Sequence, residues 1–172
     1  MTPTSMKLNE AFYCRDVLKV APDLIGKFLV VKSNQNIIAC MITEVEAYRG
    51  EEDKACHANK GRTARTEIMY HTGGNIYVYL IYGMYWMLNF VTGNVNNPQA
   101  VLIRGIEGFN GPGKLSRELD INQSFYGEHL CHSHRIWVED RKLTPKVKTL
   151  ERIGIDYAGE PWISKPWRFM IS

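Results

Sequence analysis

The chain has 172 residues, enough for one compact domain, and 45% of them are apolar, which excludes a disordered protein. No apolar run is long enough to span a bilayer and no signal-peptide pattern opens the chain, so we expect no membrane association. The net charge of +3 identifies no partner. The excess of positive charge lies in residues 130–172, which contain 8 Lys and Arg and 5 Asp and Glu. Such a basic face could neutralise phosphates, although a solvated surface is the simpler interpretation.

The N-terminal region shows helix signals followed by two strands. Asp16 is a candidate N-cap for a short helix, Pro22 begins a second turn, and Gly26 ends it before a strand at residues 27–33. The apolar run that follows the "NQN" turn predicts a long strand from Ile37 to Tyr48.

Aromatic and β-branched residues dominate residues 75–93 and favour strands, but this run is too long for one strand. Gly83 is the natural reversal point, so we predict a β-hairpin. The other patterns predict a polar loop at 49–62, a helix at 63–73, a buried strand at 100–107, a short helix at 111–121, and strands at 135–140, 148–155 and 168–172. Runs of strands with few helices predict a single α+β domain over residues 1–172, with a curved, mostly antiparallel sheet and flanking short helices.

The segment "EVEAY" places two carboxylates and a tyrosine on one side of the long strand. Side chains alternate along a strand, so Glu44, Glu46 and Tyr48 share one face while Val45 and Ala47 face the core. Residues two apart are about 6.5–7 Å apart, so each carboxylate discourages ionisation of the other, and burial adds to this. A carboxylate in such a place is a candidate general base. The alternative is an exposed strand end with both carboxylates in water.

Two further residues sit where ordinary packing does not explain them. Tyr82 lies beside Gly83 at the predicted hairpin tip, where it either folds back on its own strands or points outward as a wedge that could enter a base stack. Arg104 lies inside the apolar strand "AVLIRGIE" and requires an anionic partner, for which Glu46 is the candidate. The alternative for Arg104 is a strand-edge position that reaches solvent.

The cysteine pattern bears on redox state and metal binding. Four scattered cysteines without CxxC spacing favour a reduced, intracellular protein. Cys56-His57 and the "CHSH" segment at residues 131–134 could converge on a metal, but their spacing matches no zinc pattern. We therefore predict neither a metal nor another cofactor.

Five segments occur in the order found in one known family: "ITEVEAYRGEEDKACHANKGRTART", "YVYLIYGMYWMLN", "AVLIRGIE", "GPGKL" and "RIGIDYAGE". From about Leu8 onward, the chain resembles the alkyladenine (3-methyladenine) DNA glycosylases. The resemblance implies a single domain with an antiparallel sheet and a protruding β-hairpin. It also implies catalysis without a metal.

The resemblance further implies a monofunctional enzyme of base excision repair. Such an enzyme flips an alkylated or otherwise damaged purine out of double-stranded DNA and hydrolyses its N-glycosidic bond with water, leaving an abasic site. Glu46 would activate the water and Arg104 would help to hold it. The other matched positions are four pocket residues and one intercalating tyrosine: Tyr48, His57, Tyr79 and Asn89, and Tyr82. We expect a monomer, in the cytoplasm if the source is bacterial and in the nucleus if it is eukaryotic.

The hairpin register provides a geometric test. A two-residue turn at Tyr82 and Gly83 would put Tyr79 and Asn89 on opposite faces of the hairpin. A three-residue loop at residues 81–83 would put both on one face. If both residues line one pocket, the loop must have an odd length or contain a bulge.

Three features depart from the family pattern. Val45 stands where threonine is common, but it lies on the other face of the strand and should be tolerated. Only Phe109 and Asn110 separate "RGIEG" from "GPGKL", where members usually carry a longer basic insertion, which predicts a weaker grip on the DNA backbone. The sequence given stops at "RFMIS", where many members continue into a tryptophan-containing tail that closes the pocket, so the enclosure of the water is left open.

Three other activities fit the residues alone. A lysine such as Lys54 or Lys60 could attack the sugar and form a Schiff base. A non-catalytic module could bind damaged nucleic acid and stack a flipped base without cutting the bond. A metal hydrolase would require the cysteine and histidine segments to converge.

Overall fold

The computed structural model describes residues 6–172, which form a sheet of ten strands and three short α-helices joined by loops and 3-10 turns. The helices are α1 (Glu10–Tyr13), α2 (Val17–Leu24) and α3 (Pro112–Glu118). The strands are β1 (Met6–Lys7), β2 (Phe28–Lys32), β3 (Ile37–Tyr48), β4 (Ile76–Ile81), β5 (Tyr85–Thr92), β6 (Gln99–Ile106), β7 (Phe109–Asn110), β8 (Ile136–Asp140), β9 (Val147–Leu150) and β10 (Arg168–Ile171).

The strand order is β1-β8-β2-β3-β6-β5-β4, with β7 added to β6, and with β10 lying between β3 and β9. Every strand pair formed by the described residues is antiparallel. The α+β prediction with a mostly antiparallel sheet is therefore confirmed, and so are the predicted bounds of the long strand.

β3 is central and changes neighbours along its length. Its first half pairs with β2, while its second half pairs with β6 and, at Glu44–Glu46, with β10. The register with β6 shifts between Ile42 and Val45, which marks a bulge. Because a bulge bends and twists the strand, the second half of β3 leaves β2 and accepts β10 in its place.

The main core lies between the sheet and α2. The side chain of Asp16 caps α2 by accepting a hydrogen bond from the backbone N–H of Leu18 (2.8 Å), as predicted. Helical spacing places the buried residues on one stripe that packs against β3 and β6: Val17, Val20, Ala21 and Leu24. No helix within residues 6–172 combines the length and the apolar character that crossing a bilayer requires.

Two helix predictions need correction. Pro22 lies inside α2 rather than beginning a second turn, and the helix ends only two residues later, so little backbone hydrogen bonding is lost. Residues 63–73 do not form a helix and contain only a 3-10 turn at Glu67–Tyr70. The hydroxyls of Thr63 and Thr66 bond to each other's backbone N–H groups, at 3.2 and 2.9 Å, and so replace the helical pattern.

One strand prediction was too long. β9 ends at Leu150, and residues 151–155 leave the sheet instead of extending it. The cause is a long-range attraction, because the buried side chain of Arg152 binds Asp53 and the backbone N–H of Ile153 binds Glu46. These contacts turn the chain toward β3.

The β4–β5 hairpin confirms the expected odd loop length, displaced by one residue. Ile81 pairs with Tyr85, so the loop consists of Tyr82, Gly83 and Met84 rather than residues 81–83. Tyr82 and Gly83 both have positive φ angles, of 52° and 65°, which produces the tight reversal. In this register Asn89 pairs with Tyr77 and therefore lies on the same face as Tyr79.

Candidate active site

Glu46 is the most deeply buried acid of the predicted site, with a relative exposure of 0%. Its Oε2 accepts a hydrogen bond from the Tyr48 hydroxyl (2.6 Å), and its Oε1 accepts one from the backbone N–H of Ile153 (2.8 Å). Burial raises the pKa of this carboxyl, while Arg104 and the two hydrogen bonds oppose the rise. Glu46 is thus a carboxylate held in a fixed position with an increased proton affinity.

Arg104 reaches the acids from the neighbouring strand β6. Its Nε lies 3.6 Å from Oε1 of Glu46, as the sequence predicted, but it lies closer to Oε1 of Glu44, at 3.3 Å. Glu44 also accepts a hydrogen bond from Nη1 of Arg168 on β10 (3.1 Å). The two arginines and two glutamates balance in charge, which allows both acids to stay on one half-buried face.

The four predicted pocket residues meet in one small cavity of about 40 Å³. Tyr48 from β3, Tyr79 from β4, Asn89 from β5 and His57 from the loop after β3 all line it. The remaining lining residues are Ala55, Cys56, Met69, Tyr77, Ala100 and Tyr157. Glu46 does not line the cavity, and the Tyr48 hydroxyl connects it to this space.

His57 is held among the pocket tyrosines. Its Nδ1 lies 2.8 Å from the Tyr77 hydroxyl, and its ring centroid lies 4.5 Å from that of Tyr79 at an interplanar angle of 65°. Burial lowers the pKa of His57 to about 4, with Arg65 and Lys60 contributing in the same direction. The imidazole is therefore neutral near pH 7.

Tyr82 projects from the hairpin rather than toward the cavity. Its side chain is 87% exposed at the tip, and the neighbouring Met84 is also exposed. The alternative in which Tyr82 folds back on its own strands does not occur in this structure. An exposed aromatic side chain at the end of a two-stranded arm has the form of the predicted wedge.

Sequence reasoning missed the ion pair that supports this site. Asp53 and Arg152 have fully buried side chains, and Arg152 Nη1 lies 2.6 Å from Asp53 Oδ2. Arg152 also donates a hydrogen bond to the backbone carbonyl of Ala47 (3.0 Å). A local pattern carries no signal for a pair 99 positions apart, although Arg152 is the first residue of "RIGIDYAGE", one of the five segments that carry the family resemblance.

The predicted alternatives map to other parts of the structure. Lys54 and Lys60 are exposed and line a groove beside His57 rather than the cavity. Within residues 6–172, the group of side chains that could hold a metal is Glu10, His129 and His132, which includes neither Cys56 nor His57. In this group, Nδ1 of His129 accepts a hydrogen bond from the backbone N–H of Cys131 (3.1 Å), whereas its Nε2 has no hydrogen-bond partner among the described residues.

Comparisons with known proteins show which family the chain resembles. A family model described as methylpurine-DNA glycosylase matches residues 11–110 and 107–172. The two matched ranges overlap at residues 107–110, where the predicted short connection consists of a tight turn and the two-residue strand β7.

Curated relatives resemble nearly the whole chain. A protein of Methanocella arvoryzae is 45% identical over 94% of this chain and 90% of its own length. One from Psychrobacter cryohalolentis is 42% identical over 95% and 90%, and one from Borrelia garinii is 42% identical over 95% of both chains. Each of the three carries the name "Putative 3-methyladenine DNA glycosylase".

Proposed function

The chain belongs to the methylpurine-DNA glycosylase family of hydrolases that act on N-glycosyl bonds, and from this premise we propose how its site works. It flips an alkylated purine out of double-stranded DNA and hydrolyses the N-glycosidic bond with a water molecule that Glu46 activates. An abasic site and a free base are the products. We expect the enzyme to act as a monomer, and the proposed mechanism needs residues of one chain only.

The main observation that supports the proposal is that a buried acid lies next to an aromatic cavity. Glu46 has both oxygens fixed by hydrogen bonds, yet a carboxylate offers about four acceptor positions, so a water can still donate to it. The water oxygen bonds to C1′ of the sugar, the electrons of the broken bond leave with the base, and Glu46 takes the water proton. Its negative charge also stabilises the positive charge that develops on the sugar.

The cavity suits an electron-poor or cationic ring. Tyrosine faces attract such rings through stacking and cation–π forces, and Tyr48 and Tyr79 supply two of them. A neutral His57 adds no positive charge that would repel a cationic base. Alkylated purines fit this requirement better than ordinary ones because alkylation at a ring nitrogen makes the base cationic.

Tyr82 supplies the step that exposes the bond. A base inside a duplex cannot be attacked at its sugar until it is unstacked. Tyr82 projects far enough from the hairpin to fill the gap that the flipped base leaves. The wedge and the cavity residue Tyr79 lie on the same hairpin, which fixes their separation.

Substitution of the acid tests the proposal. We expect Glu46→Gln to abolish base release from methylated duplex DNA while lesion binding persists, because the amide keeps the shape but cannot accept a proton. Single-turnover release and a gel-shift assay measure the two effects. Glu107→Gln, which changes an exposed glutamate in the β6–β7 turn, serves as the matched control and should behave like the parent.

The same assay separates the other mechanisms. Normal release by Glu46→Gln would refute the role of Glu46, and a parent that binds but releases nothing would be a damage reader. A borohydride-trapped adduct that disappears in Lys54→Ala or Lys60→Ala would indicate a lysine nucleophile. Loss of activity in EDTA would indicate a metal hydrolase.

A further inference from the structure

The cavity is too small for the base that the proposed function places in it. A volume of about 40 Å³ holds only a few water molecules. A bicyclic purine is several times larger than a water molecule. One wall must therefore move before a base can enter.

Most of the walls are fixed in place. The Tyr48 hydroxyl is anchored on Glu46, and the buried Tyr77 has its hydroxyl beside Nδ1 of His57. The side-chain amide of Asn89 is buried and donates to the backbone carbonyls of Tyr77 and Met87, both at 3.3 Å. These side chains stand on paired strands of the sheet or bond to them, so they are unsuited to large movements.

Tyr157 differs from the other walls. It lies on a 3-10 turn (Asp156–Ala158) and, among the described residues that line the cavity, it is the exposed one, at 69%. Its hydroxyl donates one hydrogen bond to the backbone carbonyl of Ala55 (2.9 Å). A single neutral hydrogen bond at an exposed side chain is weak enough to break when a base enters.

Tyr157 also forms the boundary between the cavity and an open groove. The groove has a volume of about 570 Å³, and its lining includes the cations Lys54, Lys60 and Arg65. Tyr157 lines both spaces, as do Ala55, Cys56 and His57. Displacement of the Tyr157 ring would therefore join the small cavity to the groove, which is large enough and basic enough to admit a nucleotide.

We infer that Tyr157 gates the base pocket and selects the base that enters it. The inference rests on the proposed function, because it assigns the entry step of the same cavity. Before a base enters, the ring narrows the cavity on the side of the groove, and its hydroxyl is hydrogen-bonded to the carbonyl of Ala55. When a base arrives from the groove, the hydrogen bond to Ala55 breaks. The Tyr157 ring then covers the base as an additional aromatic wall.

The chemistry of the ring supports a selective role. Burial raises the pKa of the Tyr157 phenol, and the carboxylates of Asp53 and Glu46 add to this, whereas Arg152 opposes it. The phenol is therefore neutral at working pH. A neutral aromatic face favours a small, cationic base and limits the room for a larger one.

Two variants separate the role of the aromatic ring from that of the hydroxyl hydrogen bond. Tyr157→Ala removes both, and Tyr157→Phe removes only the hydroxyl. Single-turnover release of cationic 3-methyladenine and of the larger, neutral ethenoadenine is measured from duplexes that carry one lesion each. We expect Tyr157→Ala to shift the ratio of the two rates about tenfold toward ethenoadenine, since one aromatic stack contributes about that factor.

Tyr157→Phe should keep the parental ratio and bind free 3-methyladenine faster than the parent in stopped-flow fluorescence. Tyr70→Phe is the matched control, because it removes a tyrosine hydroxyl that donates to Glu51 (2.7 Å) outside the cavity lining. It should match the parent in both readouts.

Distinct outcomes would overturn the gate or the function. An unchanged ratio in Tyr157→Ala with an unchanged melting temperature removes the gate and leaves the glycosylase intact. Both variants could instead lose both release rates equally and melt at lower temperatures. That result would show that Tyr157 has only a structural role and would also refute the gate. If the parent releases neither base, the proposed function itself fails.

Discussion

At the scale of single residues, Glu46 and His57 have opposite tasks and opposite pKa shifts. Burial raises the pKa of Glu46 and lowers that of His57, because in each case it disfavours the charged form. The proposed mechanism nevertheless requires an ionised Glu46 to take a proton from water and a neutral His57 beside a cationic base. The two requirements are met together only above the pKa of Glu46.

The pH dependence of base release should report Glu46. We expect the single-turnover rate to fall as the pH drops, with a midpoint above the ordinary glutamate value of 4.5, because the protonated acid cannot act as a base. Rates measured from neutral to acid pH on one defined duplex test this.

His57→Gln is the control for that profile, since the pKa of His57 is lowered to about 4 and its protonation would affect the rate only at lower pH. The acid limb should persist in this variant. Its disappearance would assign the limb to His57 instead.

At the scale of elements, the proposed mechanism uses the β4–β5 hairpin both to flip the base and to recognise it. Tyr77 and Tyr79 on β4 and Asn89 on β5 face the cavity, and Tyr82 stands at the loop between the strands. The three-residue loop sets the register that puts these residues on one face. The strand pairing therefore sets how far Tyr82, the proposed wedge, lies from the pocket.

Tyr82→Ser should slow base release from duplex DNA by roughly 5- to 100-fold, the range expected for one lost base–aromatic stack. Release from a single-stranded oligonucleotide should change much less, since no duplex gap needs filling there. Val95→Ser, which alters an exposed apolar residue in the loop before β6, is the control. An equal loss on both substrates would place Tyr82 in the pocket rather than in the duplex.

At the scale of the whole molecule, the loop after β3 and the segment after β9 are joined by one buried ion pair. Asp53 and Arg152 bond to each other, and the neighbouring Ile153 binds Glu46 directly. The stability of the fold and the position of the acid therefore depend on the same contact.

Asp53→Asn should lower the free energy of unfolding by about 3–5 kcal/mol, because it leaves the charge of Arg152 buried without a full partner. Urea denaturation measures this change. Glu67→Gln breaks the exposed pair with Arg62 and should have little effect, since water screens that pair. Similar midpoints for the two variants would contradict the structural importance of the buried pair.

The sequence allowed prediction of those features that local patterns encode. The apolar run of β3 and the aromatic hairpin gave the right elements, and alternation along β3 gave the shared face of Glu44, Glu46 and Tyr48. Residues 63–73 failed because threonine hydroxyls replace backbone bonds there.

Contacts between distant segments were beyond local reasoning. The break after β9 depends on Asp53, and the role of Tyr157 depends on a carbonyl at Ala55, more than a hundred residues earlier. Arg104 illustrates the limit of local patterns. The sequence indicated that this arginine needs an anionic partner, but only the strand register in the structure shows that Glu44 lies nearer to it than Glu46.

The pairing of β10 with β3 has a consequence for biosynthesis. Residues 168–171 complete the sheet next to Glu44–Glu46, and they are synthesised more than a hundred residues after this part of β3. A nascent chain that still lacks them leaves the buried carboxylate of Glu46 without its neighbouring strand. The sheet edge beside Glu46 thus stays open until synthesis has reached residue 171, so the surroundings of this buried acid are completed late.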